Sequence, residues 1–175
     1  MRRLYDAIRE VPDSPTPGIV YRDITPILQD PMLFRQTVRH IAEPARGLDV
    51  DKVVAVEPGG FMLGGAVSIE LKAGLVPARK PGKLPHMTHM VEYGPEYSTD
   101  AIEVHKDAIE SGERVLIVDD VLATGATAEA AVKAAREAGG EVVAVSVLLE
   151  LLELDGRSKL EGIPLWSLLT YPRAG

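Results

Sequence analysis

Val115-Leu116-Ile117-Val118-Asp119-Asp120-Val121-Leu122-Ala123-Thr124-Gly125-Ala126-Thr127 is the stretch that decides how this chain folds. Its first four residues form an unbroken apolar run, the pattern of a strand buried on both faces. Two adjacent carboxylates end the run, a Thr-Gly turn follows, and a helix opens. Ala128, Ala131, Val132, Ala135 and Ala138 fall on one stripe of that helix, and Glu129 stands four residues before Lys133. Gly139-Gly140 stops it, and residues 142–149 read as another buried strand.

In open α/β sheets, ligands bind at the carboxyl ends of strands. A helix start offers unpaired N–H groups and a positive dipole end, both suited to a phosphate. Thr124 and Thr127 add hydroxyl donors, and Gly125 lets the backbone approach an anion closely. Asp119 and Asp120 would repel a phosphate aimed at them. They make sense as acceptors for a sugar diol beside it, so the stretch predicts a site for a sugar phosphate. It is not a P-loop, because no Gly-Lys-Ser/Thr follows. Helix capping explains one acid but not two. A receiver-like Mg²⁺ site needs an acidic cluster near the first strand, and none is there.

Working outward, residues 53–56 form a second apolar run. A helical stretch follows with Met62, Ala66, Ile69 and Ala73 on one face, stopped by Gly74. Residues 75–78 read as a short strand whose Pro77 places it at an edge or an end. Strands alternating with helices across short joints predict a parallel sheet covered by helices. Two segments stand apart. Residues 81–100 show neither helical nor strand periodicity, as in a functional lid or an insertion. Residues 12–31 are too rich in proline for a helix, yet Ile19, Val20, Tyr21 and Ile24 predict a packed, ordered loop.

The 175 residues fit one domain. No apolar run reaches the ~18 residues of a membrane helix, and the two arginines near the start precede no apolar signal segment. The absence of cysteine excludes disulfides and thiolate chemistry. A soluble, cytoplasmic protein is expected. The net charge of −7 argues against nucleic acid as the main partner. Between Lys72 and Met90, however, no acid interrupts Lys72, Arg79, Lys80 and Lys83, a basic island suited to a small anion.

The stretch 115–127 resembles the phosphoribosyl pyrophosphate (PRPP) loop of the type I phosphoribosyltransferases. Five further segments resemble the adenine-using branch of that family, so the resemblance spans nearly the whole chain. They are Pro15-Thr16-Pro17-Gly18-Ile19-Val20-Tyr21-Arg22-Asp23-Ile24 with Arg79-Lys80-Pro81-Gly82-Lys83-Leu84-Pro85, then Glu96-Tyr97 with His105-Lys106-Asp107-Ala108, and Gly156-Arg157-Ser158-Lys159-Leu160 near the end. The resemblance implies one α/β domain over 1–175, with a central, mostly parallel sheet flanked by helices. A flexible hood loop would span 81–100 and a base-binding loop 12–31. It also implies purine salvage by a homodimer: Mg²⁺-dependent transfer of 5-phosphoribosyl from PRPP to adenine, giving AMP and pyrophosphate, without nucleic acid or membrane as partner.

By the same resemblance, Asp119 and Asp120 hold the ribose hydroxyls. Ala123, Thr124, Gly125, Ala126 and Thr127 cradle the 5′-phosphate. Glu57, Pro58 and Gly59 face the pyrophosphate with Arg79, Lys80 and Lys83. Tyr21 stacks on adenine, the backbone of Val20 and Arg22 reads its edge, and Leu154 forms the opposite wall. Glu96 assists proton transfer from the purine nitrogen, and Tyr97 lies against the departing pyrophosphate. No protein group binds the metal directly; Mg²⁺ comes with PRPP. Three departures stand out: Gly59 where the branch usually has arginine, Ala126 where many members have glycine, and Gly94-Pro95 in the hood. Glu57-Pro58 falls at the step where the family has a cis peptide. The Gly59-Gly60 pair, as in hypoxanthine enzymes, keeps a 6-oxopurine (hypoxanthine or xanthine) transferase open. A non-catalytic PRPP- or purine-sensing regulator is the alternative from another class.

Overall fold

The structure is a computed structural model that describes residues 2–94 and 100–172. Its centre is a parallel sheet of β3 (Lys52–Val56), β4 (Gly74–Ala78), β7 (Arg114–Leu122), β8 (Glu141–Leu151) and β9 (Leu165–Tyr171), in the order β4-β3-β7-β8-β9. In this order the first two core strands run one way from the middle and the rest run the other. The direction reverses between β3 and β7, which opens a crevice beyond their carboxyl ends.

The apolar runs are explained by what covers each face. Val54, Val56, Val115, Ile117, Val145 and Val147 pack with α5 (Ala126–Glu137) on one side. Val53, Leu116, Val118, Ala144 and Leu148 pack on the other, against α3 (Pro31–Ala42) and α4 (Gly59–Leu71). Neighbouring residues of a strand point to opposite faces, so a strand apolar at every position is buried twice. Pro77 lies on β4, an edge strand, as expected. On α5, Glu129 pairs with Lys133 at 2.6 Å.

Three expectations need correction. In α4, Met62 and Ile69 are exposed, and the buried face is Gly59, Gly60, Leu63, Gly64, Val67 and Ser68. That helix is apolar or small nearly all round, so periodicity cannot choose its inner face. Close approach to the sheet selects the glycines: a Cβ at Gly64 would lie 2.5 Å from that of Ala55. The helix also ends before Gly74, at Lys72, which takes the left-handed conformation (φ 59°).

Second, 12–31 is not free of helix. After β2 (Tyr21–Asp23), which pairs with β1 (Arg9–Val11), comes α2 (Thr25–Gln29). Pro26 sits in its first turn, where a missing N–H costs nothing. Pro31 likewise opens α3, capped by the Asp30 carboxylate, which accepts from the N–H groups of Met32 and Leu33. The short α1 (Arg2–Ala7) packs Leu4 into the same core.

Third, 81–100 contains β5 (Thr88–Glu92), which pairs antiparallel with β6 (Ala101–His105). The described part of 81–100 is therefore ordered by pairing with a buried β6. Its root joins the end of β4 through reciprocal backbone bonds between Arg79 and Glu103, at 2.8 and 2.9 Å.

Candidate active site at the β3–β7 crevice

β7 carries the acid pair to the carboxyl edge and continues through both acids to Leu122. Asp119 is buried at 8% exposure, and its Oδ1 accepts the Asp120 N–H at 2.8 Å. Burial, followed by repulsion from the Asp120 carboxylate, pushes its pKa well above the ordinary range. Asp120 is half-buried, and its Oδ1 accepts the Val121 N–H at 2.9 Å. A pair of acceptors held this way suits hydroxyl donors. It also explains why Gly59 carries no side chain: a Cβ there would lie 2.0 Å from Asp120 Oδ2.

Beyond the acids, Asp119, Val121, Leu122, Ala123, Thr124, Gly125, Ala126, Thr127 and Ala128 enclose a cavity of about 70 Å³. Gly125 has φ +78° and precedes α5, and no side chain caps that helix. Its first amides therefore open into the cavity, where an anion is favoured. Ala126 begins the helix in ordinary geometry, so its methyl is tolerated. α4 likewise starts without a side-chain cap, behind a cis Glu57–Pro58 bond at the end of β3. Two uncapped helix starts thus flank the crevice.

Across it, Arg79 grips Glu57 with both arms of its guanidinium, Nε–Oε2 at 3.2 Å and Nη2–Oε1 at 3.1 Å. The Lys80 N–H adds a bond at 3.0 Å. These donors, Arg79 first, hold the Glu57 carboxyl below its usual range although burial opposes them. Arg79 is therefore already shared with an acid, and its Nη1 also reaches the Lys83 carbonyl. Among the described residues, Lys80 and Lys83 form no ion pair. Lys72 belongs to the basic island in sequence only, since β4 separates it from Arg79.

Tyr21 is 52% exposed, with Ile19 and Val20 also exposed beside it, so it is not a core residue under the loop. The Arg22 guanidinium turns back over the Tyr171 ring at 4.2 Å, leaving its backbone on the strand as the feature that remains for recognition. Leu154 is exposed at the end of a short 3₁₀ turn, Leu152–Leu154. Glu96 and Tyr97 lie outside the described residues. Two features were given no role in the site from sequence. One is Glu103, a buried carboxylate that accepts from the Lys83 and Leu84 N–H groups and from Thr88, at 3.1–3.2 Å. The other is Gly156, whose backbone lies directly against the phosphate loop.

A parallel sheet in this order, with paired acids and an uncapped helix start at its crevice, suits a ligand that carries both a diol and a phosphate. The model of the phosphoribosyl transferase domain matches residues 27–162, and the chain belongs to that family. Within the family its relatives are adenine phosphoribosyltransferases. That of Myxococcus xanthus is 51% identical over 164 residues, covering 94% of this chain and 89% of the relative. The crystal structure of the enzyme from Rhodothermus marinus is 49% identical and superposes with a TM-score of 0.92 over 97% of both chains. That from Saccharomyces cerevisiae, complexed with an imino-altritol bisphosphate and adenine, is 35% identical with a TM-score of 0.89, covering 95% of this chain and 97% of that one.

Proposed function

We propose that this chain transfers the 5-phosphoribosyl group of PRPP to N9 of adenine, releasing AMP and pyrophosphate in purine salvage. One observation carries the reading: the acid pair of β7 adjoins the uncapped, backbone-lined cradle at the start of α5. The first accepts a ribose diol, and the second takes the phosphate of the same sugar. The names of the relatives support adenine as the acceptor, as does the adenine bound by the yeast relative.

In this reaction the C1′–O bond to pyrophosphate breaks as the N9–C1′ bond forms. The anomeric carbon gathers positive charge, as in glycoside cleavage. Asp119 and Asp120 fix the ribose, and Ala123 to Thr127 fix its 5′-phosphate, so the chain's share is positioning and electrostatics. Lys80 and Lys83 meet the leaving pyrophosphate. Arg79, held by Glu57, sets the shape of that wall. Tyr21 supplies the stacking face, Leu154 the far wall, and the backbone of Val20 and Arg22 the edge contacts. The N9 proton passes to Glu96, and Tyr97 lies against the leaving group.

Mg²⁺ fits as a companion of PRPP. Among the described residues no three His, Asp or Glu side chains gather as ligands, so the ion would be held by the substrate's own oxygens, where it neutralises pyrophosphate charge. The exposed Met62, Ile69 and Leu75 on α4 and β4 support a homodimer, which sedimentation would test. No helix among the described residues is long and apolar enough to cross a membrane. A cytoplasmic setting agrees with the purine-salvage role.

The deciding experiment measures pyrophosphate release from PRPP with adenine, hypoxanthine and xanthine side by side. Adenine is expected to exceed the others by about 10⁴-fold in kcat/KM, the discrimination of a site that hydrogen-bonds its substrate's edge. A preference for hypoxanthine would move the chain to the 6-oxopurine class. PRPP binding without pyrophosphate release from any base would make it a sensor.

A further inference from the structure

We infer that Arg157 and Gly156 are positioning residues for the 5′-phosphate loop, acting without themselves touching a reacting atom. After β8 the chain makes the turn Leu152–Leu154, passes through Asp155 in the left-handed conformation (φ 49°), and enters a 3₁₀ helix, Gly156–Leu160. Gly156 is the buried point of that turn and lies backbone to backbone on the phosphate loop. A Cβ on Gly156 would stand 2.2 Å from the Ala123 carbonyl oxygen and 2.7 Å from the Gly125 nitrogen. Conversely, a Cβ on Gly125 would stand 2.3 Å from the Gly156 carbonyl oxygen. The amides that would receive the phosphate therefore rest on Gly156, and any displacement of one is passed to the other.

Arg157 holds that support in place. Its guanidinium takes Glu150 of β8 with both arms, the Nε–Oε1 distance being 2.9 Å. It also donates to the Leu165 carbonyl of β9 at 3.2 Å and to the Ser167 hydroxyl at 3.3 Å. Glu150 is 3% exposed and accepts the Ser167 hydroxyl as well. A planar fork satisfied on two strands at once fixes its own backbone more tightly than a lysine could. The turn from 152 to 156 is thus fastened to the rigid part of the sheet one residue beyond its contact with the loop.

The inference rests on the PRPP-transferase reading, and its test separates the two. Gly156 does not have a positive φ, so Gly156→Ala is compatible with the backbone and perturbs chiefly the contact with Ala123. Ribose 5-phosphate binding by calorimetry, with PRPP and adenine KM measured separately, gives the readout. Gly156→Ala is expected to weaken ribose 5-phosphate and raise the PRPP KM about tenfold, leaving the adenine KM within about twofold, because a sub-ångström shift of a positioning loop costs that much. Arg157→Lys, which keeps the charge and loses the fork, should move the same two quantities about threefold. Wild-type ribose 5-phosphate affinity in both variants would overturn the inference, and so would equal loss toward PRPP and adenine. Should the wild-type protein bind ribose 5-phosphate yet transfer nothing to adenine, the proposed reaction falls while the loop's dependence on 156–157 is still measured.

Discussion

Gly59 and Asp120 share one space, and only one of them can have a side chain in it. Because Gly59 begins a helix without a positive φ, alanine there suits the backbone and improves helix propensity. The added methyl must nonetheless displace the Asp120 carboxylate. Gly59→Ala is therefore expected to leave the melting temperature unchanged or slightly higher while raising the PRPP KM about tenfold. Thermal unfolding and steady-state kinetics on the same preparation check both. Asp119 makes the complementary case. Its folded pKa is raised above the ordinary 3.8, so the native state bears an ionisation cost that grows as pH rises from about 3.8 and is complete above the raised value. Asp119→Asn removes that cost yet can still accept the Asp120 N–H. The ligand-free variant should melt higher than wild type at neutral pH, the gap should narrow near pH 4, and PRPP affinity should fall. A variant that melts no higher at neutral pH would contradict the burial argument. Both acids were legible because they are neighbours at the end of an apolar run. The clash with Gly59 was not, since it depends on the alignment of β3 with β7, where Ala55 lies opposite Val118.

Among the elements, the hood departs furthest from its sequence pattern. β5 alternates partly buried and exposed residues without an apolar side, and Pro81, Gly82 and Pro85 before it read as breakers. Val91 and Tyr93 pack against the core, and Glu103, a charged residue that no hydrophobic pattern would place inside, adds the polar anchor. That carboxylate gathers three donors from 83, 84 and 88. Glu103→Ala leaves those groups without their acceptor, at a cost of about 1–3 kcal/mol. In a chain of this size each kcal/mol corresponds to about 2–4 °C of melting temperature. Faster amide exchange at Lys83 and Leu84, with exchange in β8 unchanged, is the local signature. Unaltered exchange at those two positions would show that the pin is dispensable. α4 failed differently: a helix apolar on every side has no stripe to read, and glycine packing at Gly60 and Gly64 chose the inner face.

For the molecule as a whole the charge is negative, with 26 acids against 19 Lys and Arg. PRPP must therefore approach an acidic particle through the small region around Lys80 and Lys83. Added salt screens exposed charges beyond about 8–10 Å, and PRPP feels this while neutral adenine does not. Between low and physiological ionic strength, kcat/KM for PRPP is expected to change severalfold more than that for adenine, and Lys80→Gln with Lys83→Gln should flatten the dependence. Equal salt dependence for both substrates would dissociate the lysines from PRPP capture.

Among the described residues, the acid pair, the loop before α5, Glu57 and Arg79 all lie at the carboxyl ends of the strands, which leaves the opposite rim idle. Before β3 the chain turns at Gly47, an exposed residue around which an added Cβ would meet nothing within 4 Å. That rim is where the polypeptide has room to grow. A short Gly-Ser insert or a grafted peptide after Gly47 should express, fold and turn over with unaltered Michaelis constants, whereas the same insert beside Gly125 should abolish turnover. The two edges of one sheet would then answer the same lengthening in opposite ways.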